Sequence, residues 1–206
     1  MEVIKKEVEM YFSKRKMKSL ANKIVSGKYR VYSIRLSAGF VSGDFLSEFV
    51  DTMFVAWRKI VCTRNRSYIR NFCGILRRFF IDYDEESRQY EPYFYLICTR
   101  EQKIAIESER YKIQFEEEKL RIATYVKWLS AWVSALKLCT DVSVGFTVLD
   151  LEGLEKSLAE FCTNEKYSVL AIIDEMKKEL LKRACGNHKL VSYHGIFHDR
   201  HMSVGR

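Results

Sequence analysis

The only proline of the chain, Pro92, lies at the start of a run of aromatic and aliphatic residues, Glu-Pro-Tyr-Phe-Tyr-Leu-Ile-Cys at 91–98. Proline has no N–H to donate to a β-ladder, so it suits the first residue of a strand. Because side chains alternate along a strand, Tyr93 and Tyr95 share one face, while Phe94 and Leu96 share the other. Two tyrosines on one face of a central strand mark a candidate site.

Hydrophobic periodicity around this run predicts a mixed order of elements. Strands are predicted at 31–36, 74–83, 93–98, 142–149 and 189–193, and helices at 1–26, 45–60, 101–135, 151–161 and 167–184. A short polar loop at 84–88 separates two of the strands, which predicts an antiparallel hairpin. The fold class is therefore α+β, an antiparallel sheet of about five strands flanked by helices, with a basic N-terminal helix at 1–28 and one globular unit at 29–206.

Composition narrows the class of protein. A chain of 206 residues is long enough to bury a core. Its 48% hydrophobic and 14% aromatic residues exclude a disordered tail. The six cysteines form no CxxC pair, which favours reduced thiols in a cytoplasmic protein. No apolar run is of membrane-spanning length and no signal peptide is recognisable, so we expect a protein without a membrane partner.

The net charge of +8 favours an acidic partner, and DNA is the partner we expect. The densest basic stretch is interleaved with Tyr68 and Phe72, a pattern in which cations neutralise phosphates and rings stack on bases. A solvated surface with rings in the core is the competing interpretation. The candidate nucleic-acid-binding residues are Lys14, Arg15, Lys16, Arg58, Lys59, Arg64, Arg66, Arg70, Arg77 and Arg78.

Histidines near the end of the sequence raise the question of a zinc site. The spacings Cys185-x2-His188 and His194-x3-His198, with His201 beyond, include residue types that ligate zinc. They lack the cysteine-rich pairs typical of structural zinc sites, so we assign no metal and no cofactor.

Several short motifs follow one another in an order that carries a resemblance. They are Val-Tyr-Ser-Ile-Arg-Leu at 31–36, Gly-Ile-Leu-Arg-Arg-Phe-Phe-Ile-Asp-Tyr at 74–83, Glu-Pro-Tyr-Phe-Tyr-Leu-Ile at 91–97, Trp128 with Trp132, Leu-Ala-Glu-Phe at 158–161, and Val-Ser-Tyr-His-Gly-Ile-Phe at 191–197. The series resembles the HUH-type Rep proteins, the replication initiators of small rolling-circle plasmids. Each motif is short, so the resemblance rests on the motifs occurring in the same order from 31 to 197.

The resemblance implies a site from which the catalytic residues are missing. In an active Rep protein, two histidines on one strand face hold a divalent cation, a glutamate assists, and a tyrosine hydroxyl attacks the scissile phosphate. The histidine positions correspond here to Tyr93 and Tyr95, the glutamate position to Phe80 and the tyrosine position to Phe161. Phenols are poor replacements for imidazole or carboxylate as ligands, and phenylalanine supplies neither a ligand nor a nucleophile. An alternative alignment supplies Tyr167 as the nucleophile, at a spacing from Trp132 that fits less well.

The resemblance and its departures predict a catalytically inactive Rep-like protein that binds DNA and regulates replication or transcription. The aromatic replacements either fill a former metal pocket or offer stacking faces to an unpaired base. Two alternatives remain open. One is a protein-interaction module on a dead Rep fold, using Trp57 or the acidic patch 116–118. The other is a metal-dependent nicking enzyme with rearranged ligands. A continuous basic face from 58 to 78 favours DNA, and a broken one with an exposed apolar patch favours a protein partner.

Overall fold

Antiparallel strands form one sheet at the centre of the molecule. The computed structural model describes residues 22, 24, 29–62, 72–101, 110–135, 141–162, 175–186, 188–195 and 197. Within them the strands, in chain order, are β1 (Tyr29–Ser37), β2 (Gly74–Asp84), β3 (Gln89–Glu101), β4 (Ser143–Leu149) and β5 (Val191–Gly195). Their order in the sheet is β4-β1-β3-β2-β5, so β3 is the central strand. The α+β class and the antiparallel sheet of about five strands are confirmed.

Four helices have their bounds within the described residues. They are α1 (Leu46–Cys62), α2 (Arg110–Ala135), α3 (Leu151–Cys162) and α4 (Glu175–Cys185), and a 3-10 turn, Gly43–Phe45, precedes α1. Of the predicted N-terminal helix, Asn22 and Ile24 are helical, and the remainder of 1–28 lies outside the described residues. The predicted helix at 101–135 begins too early, because β3 continues through Glu101.

Helices cover both faces of the sheet. The face that we call face A carries Leu36 and Phe94, and it packs against apolar side chains of α1, α2 and α4. The opposite face, face B, carries Leu76 and Ile97, and it packs against Leu154 and Leu158 of α3 and against Ile24 and Phe197. The sheet is therefore the middle layer between two apolar cores.

The hairpin of β2 and β3 is confirmed, with Phe80 directly opposite Tyr93. The prediction that Pro92 is the first residue of its strand is wrong, because β3 begins at Gln89. The Tyr90 N–H and C=O both bond to Val41, on the side of β3 away from β2. Successive residues of a strand point their backbone N–H and C=O groups to opposite sides. The backbone of Pro92 therefore faces the same side of β3 as that of Tyr90. It lies just beyond Ser37, the last residue of β1, so its missing N–H removes no ladder bond.

Candidate functional site

The strand register gathers aromatic side chains on face B. Tyr93 and Tyr95 are two residues apart on β3 and therefore share this face. Phe80 of β2 is the cross-strand partner of Tyr93, and Arg78 is the partner of Tyr95. On the other side, Arg35 of β1 lies opposite Tyr95. Three of the four positions singled out by the resemblance thus come together.

The rings of this aromatic cluster, Phe80, Tyr93 and Tyr95, contact one another. The Phe80 and Tyr93 rings stack with centroids 5.4 Å apart at 22°, and Phe80 meets Tyr95 edge-on at 6.4 Å. Phe80 and Tyr93 are 8% and 4% exposed. Their faces are therefore occupied by each other rather than open to an unpaired base, which agrees with the interpretation that they fill the core.

An arginine side chain packs on each of the two stacked rings. The Arg35 guanidinium carbon lies 3.9 Å from the Tyr93 ring centroid, and that of Arg78 lies 4.8 Å from the Phe80 centroid. A guanidinium over a ring face is attracted by the ring quadrupole. Arg78 is 2% exposed, whereas the Arg35 side chain is 39% exposed, so only Arg35 meets solvent.

A polar rim surrounds Arg35 at the open edge of the cluster. Its Nη2 donates to Glu91 Oε2 at 2.7 Å and to Asp82 Oδ2 at 3.4 Å. Ser37 Oγ donates to Glu91 Oε1 at 2.7 Å, and Tyr93 Oη donates to Asp82 Oδ1 at 3.4 Å. The rim therefore holds two carboxylates bridged by one guanidinium.

Sequence reasoning missed this rim. Glu91 precedes Tyr93 by two residues and Asp82 follows Phe80 by two, so period-two alternation alone places both on the face of the candidate site. Arg35 is brought to them by the register of β1 with β3, in which it lies opposite Tyr95. That register is a tertiary feature that the sequence pattern does not contain.

Helix α3 packs over the same face. The Tyr95 hydroxyl and Ser157 Oγ are 3.0 Å apart and share a hydrogen bond, and Ser157 is buried. Phe161 belongs to α3, one turn after Ser157, and its side chain lies outside the described part of the structure. The helix that carries the fourth singled-out position thus touches the cluster. Tyr167, the alternative nucleophile, lies outside the described residues.

The chemistry available at this site is limited. Neither phenol is an effective divalent-metal ligand, and Asp82 and Glu91, the carboxylates beside them, both bond to Arg35. Among the described residues no group of three or more His, Cys, Asp or Glu side chains is placed to hold a metal ion. The Arg35 guanidinium thus occupies the position next to the two carboxylates that a metal cation would take in a metal site.

The basic candidates that the structure describes do not form one face. Arg77 and Arg78 are 3% and 2% exposed, and as neighbours on β2 they point to opposite faces of the sheet. The expectation that they belong to an exposed phosphate-binding surface is corrected, because both side chains are buried. Arg58 is exposed on α1, whereas the Lys59 ammonium bonds to the carbonyl and hydroxyl of Ser134 at 3.0 and 2.9 Å.

Arg77 has a structural environment on face A. Its guanidinium lies 5.0 Å from the Phe54 and Phe94 ring centroids and 5.4 Å from that of Trp57. It donates to Ser192 Oγ at 3.0 Å and to the Lys189 carbonyl. Burial lowers the pKa of Arg77 to about 10. The remaining candidates, Lys14, Arg15, Lys16, Arg64, Arg66 and Arg70, lie outside the described residues.

Of the residues considered as zinc ligands, those that the structure describes lie in other environments. The His188 ring stacks on Phe54 at 4.0 Å, and its Nε2 lies 2.5 Å from Asp51 Oδ1. His194 is the cross-strand partner of Ile75. Burial raises the pKa of the Cys185 thiol to about 11, which disfavours the thiolate that zinc requires. His198 and His201 lie outside the described residues.

Comparison of the chain with protein-family models, with curated proteins and with solved structures gives no match. Within the part of the chain that the structure describes, no helix is long and apolar enough to cross a membrane.

Proposed function

We propose that the chain is a Rep-like DNA-binding protein without nicking chemistry that regulates replication or transcription. The observation that carries the proposal is the gathering of Phe80, Tyr93 and Tyr95 on face B, with α3 packed against Tyr95. These positions correspond, by the resemblance, to the glutamate and the two histidines of the Rep class. The hairpin register places the three side chains together, and the contact of Ser157 with Tyr95 brings α3, the helix of the fourth position, to the same cluster.

The loss of chemistry follows from what occupies the cluster. Aromatic rings fill the space that ligands and a hydrated metal would need, and Arg35 engages the two nearby carboxylates. Restoring a metal-dependent reaction here requires breaking the contacts of Arg35 with Glu91 and Asp82. This argues against the nicking enzyme with rearranged ligands.

The DNA-binding part of the proposal rests on charge. The chain carries a net charge of +8, and Arg58 is exposed on α1. Lysine and arginine side chains that neutralise phosphates release counterions, so binding of this kind weakens steeply with salt. Arg77 and Arg78 do not contribute, because both are buried.

A second function is favoured by a separate observation. With Arg77 and Arg78 buried, the basic face is interrupted, and α2 exposes apolar side chains along its length, Phe115 and Ile122 among them. An exposed apolar patch is typical of a protein-binding surface. The protein-interaction module is therefore the second candidate, and binding to DNA and to protein are compatible on different faces.

The test combines cleavage and binding with one preparation. Supercoiled and single-stranded DNA are incubated with the protein and Mg²⁺ or Mn²⁺, and binding to the same DNA is titrated at several salt concentrations. We expect salt-sensitive binding without strand cleavage. Metal-dependent nicking would refute the loss of chemistry, and salt-insensitive or absent binding would refute the DNA assignment and leave the protein-interaction module.

A further inference from the structure

Two arginines of adjacent strands lie side by side on face A. Arg30 of β1 and Arg100 of β3 are directly opposite each other in the antiparallel ladder. Arg30 precedes Tyr32 by two residues, so both arginines share face A with that tyrosine. Side chains opposite each other in such a ladder have Cβ atoms about 4.5–5.5 Å apart, and like charges placed in this way are destabilising. The pair therefore lowers stability unless an anion lies beside the two guanidinium groups.

One carboxylate of α2 lies beside the arginine pair. Glu117 Oε1 forms an ion pair with Arg30 Nε, although the two atoms are not aligned as a hydrogen bond. Within the described residues, the Arg100 guanidinium makes no hydrogen bond and no ion pair. Glu101 follows Arg100 on β3 and therefore points to the opposite face. Two guanidinium groups and one carboxylate leave a net charge of +1 at this place.

A buried tyrosine hydroxyl adds a further donor. Tyr32 is 2% exposed, and within the described residues its hydroxyl makes no hydrogen bond. Burial raises the pKa of Tyr32, the Glu117 carboxylate raises it further, and the charges of Arg30 and Arg100 lower it. The net direction is upward, so the hydroxyl is protonated at neutral pH and can donate. Both arginines and the carboxylate are thus near enough to act on the same hydroxyl.

The arginine pair is accessible at one end of the sheet. The pairing of β1 with β4 ends at Val31, and that of β3 with β2 ends at Thr99. Within the described residues, therefore, no strand flanks Arg30 or Arg100 on its outer side. The Arg30 side chain is 30% exposed, and Arg100 is partly exposed. A ligand can reach both guanidinium groups from this end.

We propose that Arg30, Arg100 and the Tyr32 hydroxyl bind one phosphodiester group of a DNA backbone. The inference rests on the proposed function and names a place at which the chain holds the DNA. A phosphodiester carries a single negative charge, which matches the net charge of +1 at the arginine pair. Guanidinium groups and tyrosine hydroxyls are common donors to phosphate oxygens. A bound phosphate also offsets the repulsion between the two arginines.

Glu117 limits the affinity of this site. Its carboxylate lies against Arg30 and repels a phosphate bound to the two arginines. Removing the charge of Glu117 therefore strengthens the attraction of the site for an anion. Removing the charge of Arg100 eliminates the excess positive charge on which the attraction depends. The two substitutions thus have opposite expected effects on DNA binding.

The experiment measures binding to a fluorescently labelled oligothymidine and to a labelled duplex, by anisotropy at several salt concentrations. Wild-type protein is compared with Arg100→Gln and with Glu117→Gln. We expect Arg100→Gln to weaken binding several-fold and to lower the slope of log affinity against log salt by about one, since one phosphate contact is lost. We expect Glu117→Gln to tighten binding several-fold.

Two control substitutions make the same changes of net charge elsewhere. Arg88→Gln and Glu86→Gln alter exposed residues in the turn between β2 and β3, at the other end of β3 from Arg100. At about 3.3 Å per residue the turn is roughly 35–40 Å from the arginine pair. We expect both controls to keep the affinity and the salt slope of the wild type.

The outcomes distinguish failure of this site from failure of the proposed function. If the wild type binds neither DNA, both are refuted. If the wild type binds with the expected salt dependence, but each site variant changes binding no more than its control, the site alone is refuted.

Thermal unfolding tests the account of the arginine pair. Removal of one of two like charges should leave the Tm of Arg100→Gln unchanged or raise it. Weaker DNA binding together with an unchanged or higher Tm is the expected result. A lower Tm would show that Arg100 stabilises the fold, and it would overturn the proposal that the pair is kept for a ligand.

Discussion

Phe80 and Tyr93 face each other across β2 and β3 and stack their rings 5.4 Å apart. The stack is nearly closed to solvent and is bounded on one side by the Arg35 guanidinium. A ring held in this way contributes to the free energy of unfolding, and it cannot take a base on either face without displacing a neighbour.

Replacing Tyr93 separates these roles. We expect Tyr93→Ala to lower the free energy of unfolding by about 3–5 kcal/mol, since a buried ring is removed and a cavity remains. Tyr93→Phe keeps the ring and removes the hydroxyl, which donates to Asp82, so we expect a loss of about 1 kcal/mol or less. Urea unfolding measures both. If Tyr93→Ala kept full stability and weakened DNA binding instead, Tyr93 would be a stacking residue and not a core residue.

The polar rim predicts a contrast between two ion pairs. Glu91 is 17% exposed and accepts from both Arg35 and Ser37, so we expect Glu91→Ala to cost about 1–3 kcal/mol in the free energy of unfolding. Glu118 pairs with Arg121 on the exposed surface of α2, and Glu118→Ala is the matched control, for which we expect no resolvable change. Equal effects of the two substitutions would show that the rim behaves as an ordinary surface ion pair.

The helices and strands of this fold could be predicted from the sequence better than the packing of the helices on the two faces of the sheet. The hairpin followed from the polar turn at 84–88, and the sheet class followed from the order of elements. The start of β3 was missed, because a proline inside a central strand is tolerated only where the neighbouring strand has ended, and Ser37 ends β1 there.

Arg77 and Arg78 were misjudged for a related reason. Consecutive arginines in a strand look like surface residues when one face of the sheet is assumed to meet water. Helices cover both faces here, so both side chains are buried, one among Phe54, Trp57 and Phe94 and the other over Phe80. The aromatic cluster could be predicted because period-two alternation and one hairpin register place it. The polar rim could not be predicted in this way, because it also depends on the register of a third strand, β1.

The thiols predict a pattern of chemical reactivity. Burial raises the pKa of Cys185 to about 11 and that of Cys98 further, and only the thiolate reacts with an alkylating reagent. At pH 8 a thiol with a pKa near 11 is roughly one part in a thousand thiolate. We expect mass spectrometry to find both residues unmodified in the native protein after iodoacetamide treatment and modified after denaturation. Rapid native alkylation of Cys185 would contradict its raised pKa.

The same measurement bears on zinc. As pH rises toward the pKa of Cys185, its thiolate fraction grows tenfold per pH unit, so the alkylation rate should rise in proportion. A zinc-bound thiolate would be protected independently of proton concentration and released by a chelator. Protection that depends on pH and is unaffected by EDTA is therefore the expected result, and release of Cys185 by EDTA would support the metal site.

Arg58 gives the sharpest test of the electrostatic part of the proposed function. It is exposed on α1, whereas Arg77 and Arg78 of the same predicted surface are buried. Each phosphate contact adds about one to the slope of log affinity against log salt, so Arg58→Gln should weaken DNA binding and reduce that slope by about one. Lys156→Gln removes the same charge from an exposed position on α3, at the other face of the sheet, and should leave the slope unchanged. If both variants lower affinity equally, the protein responds to DNA through its net charge and has no phosphate-binding surface on α1.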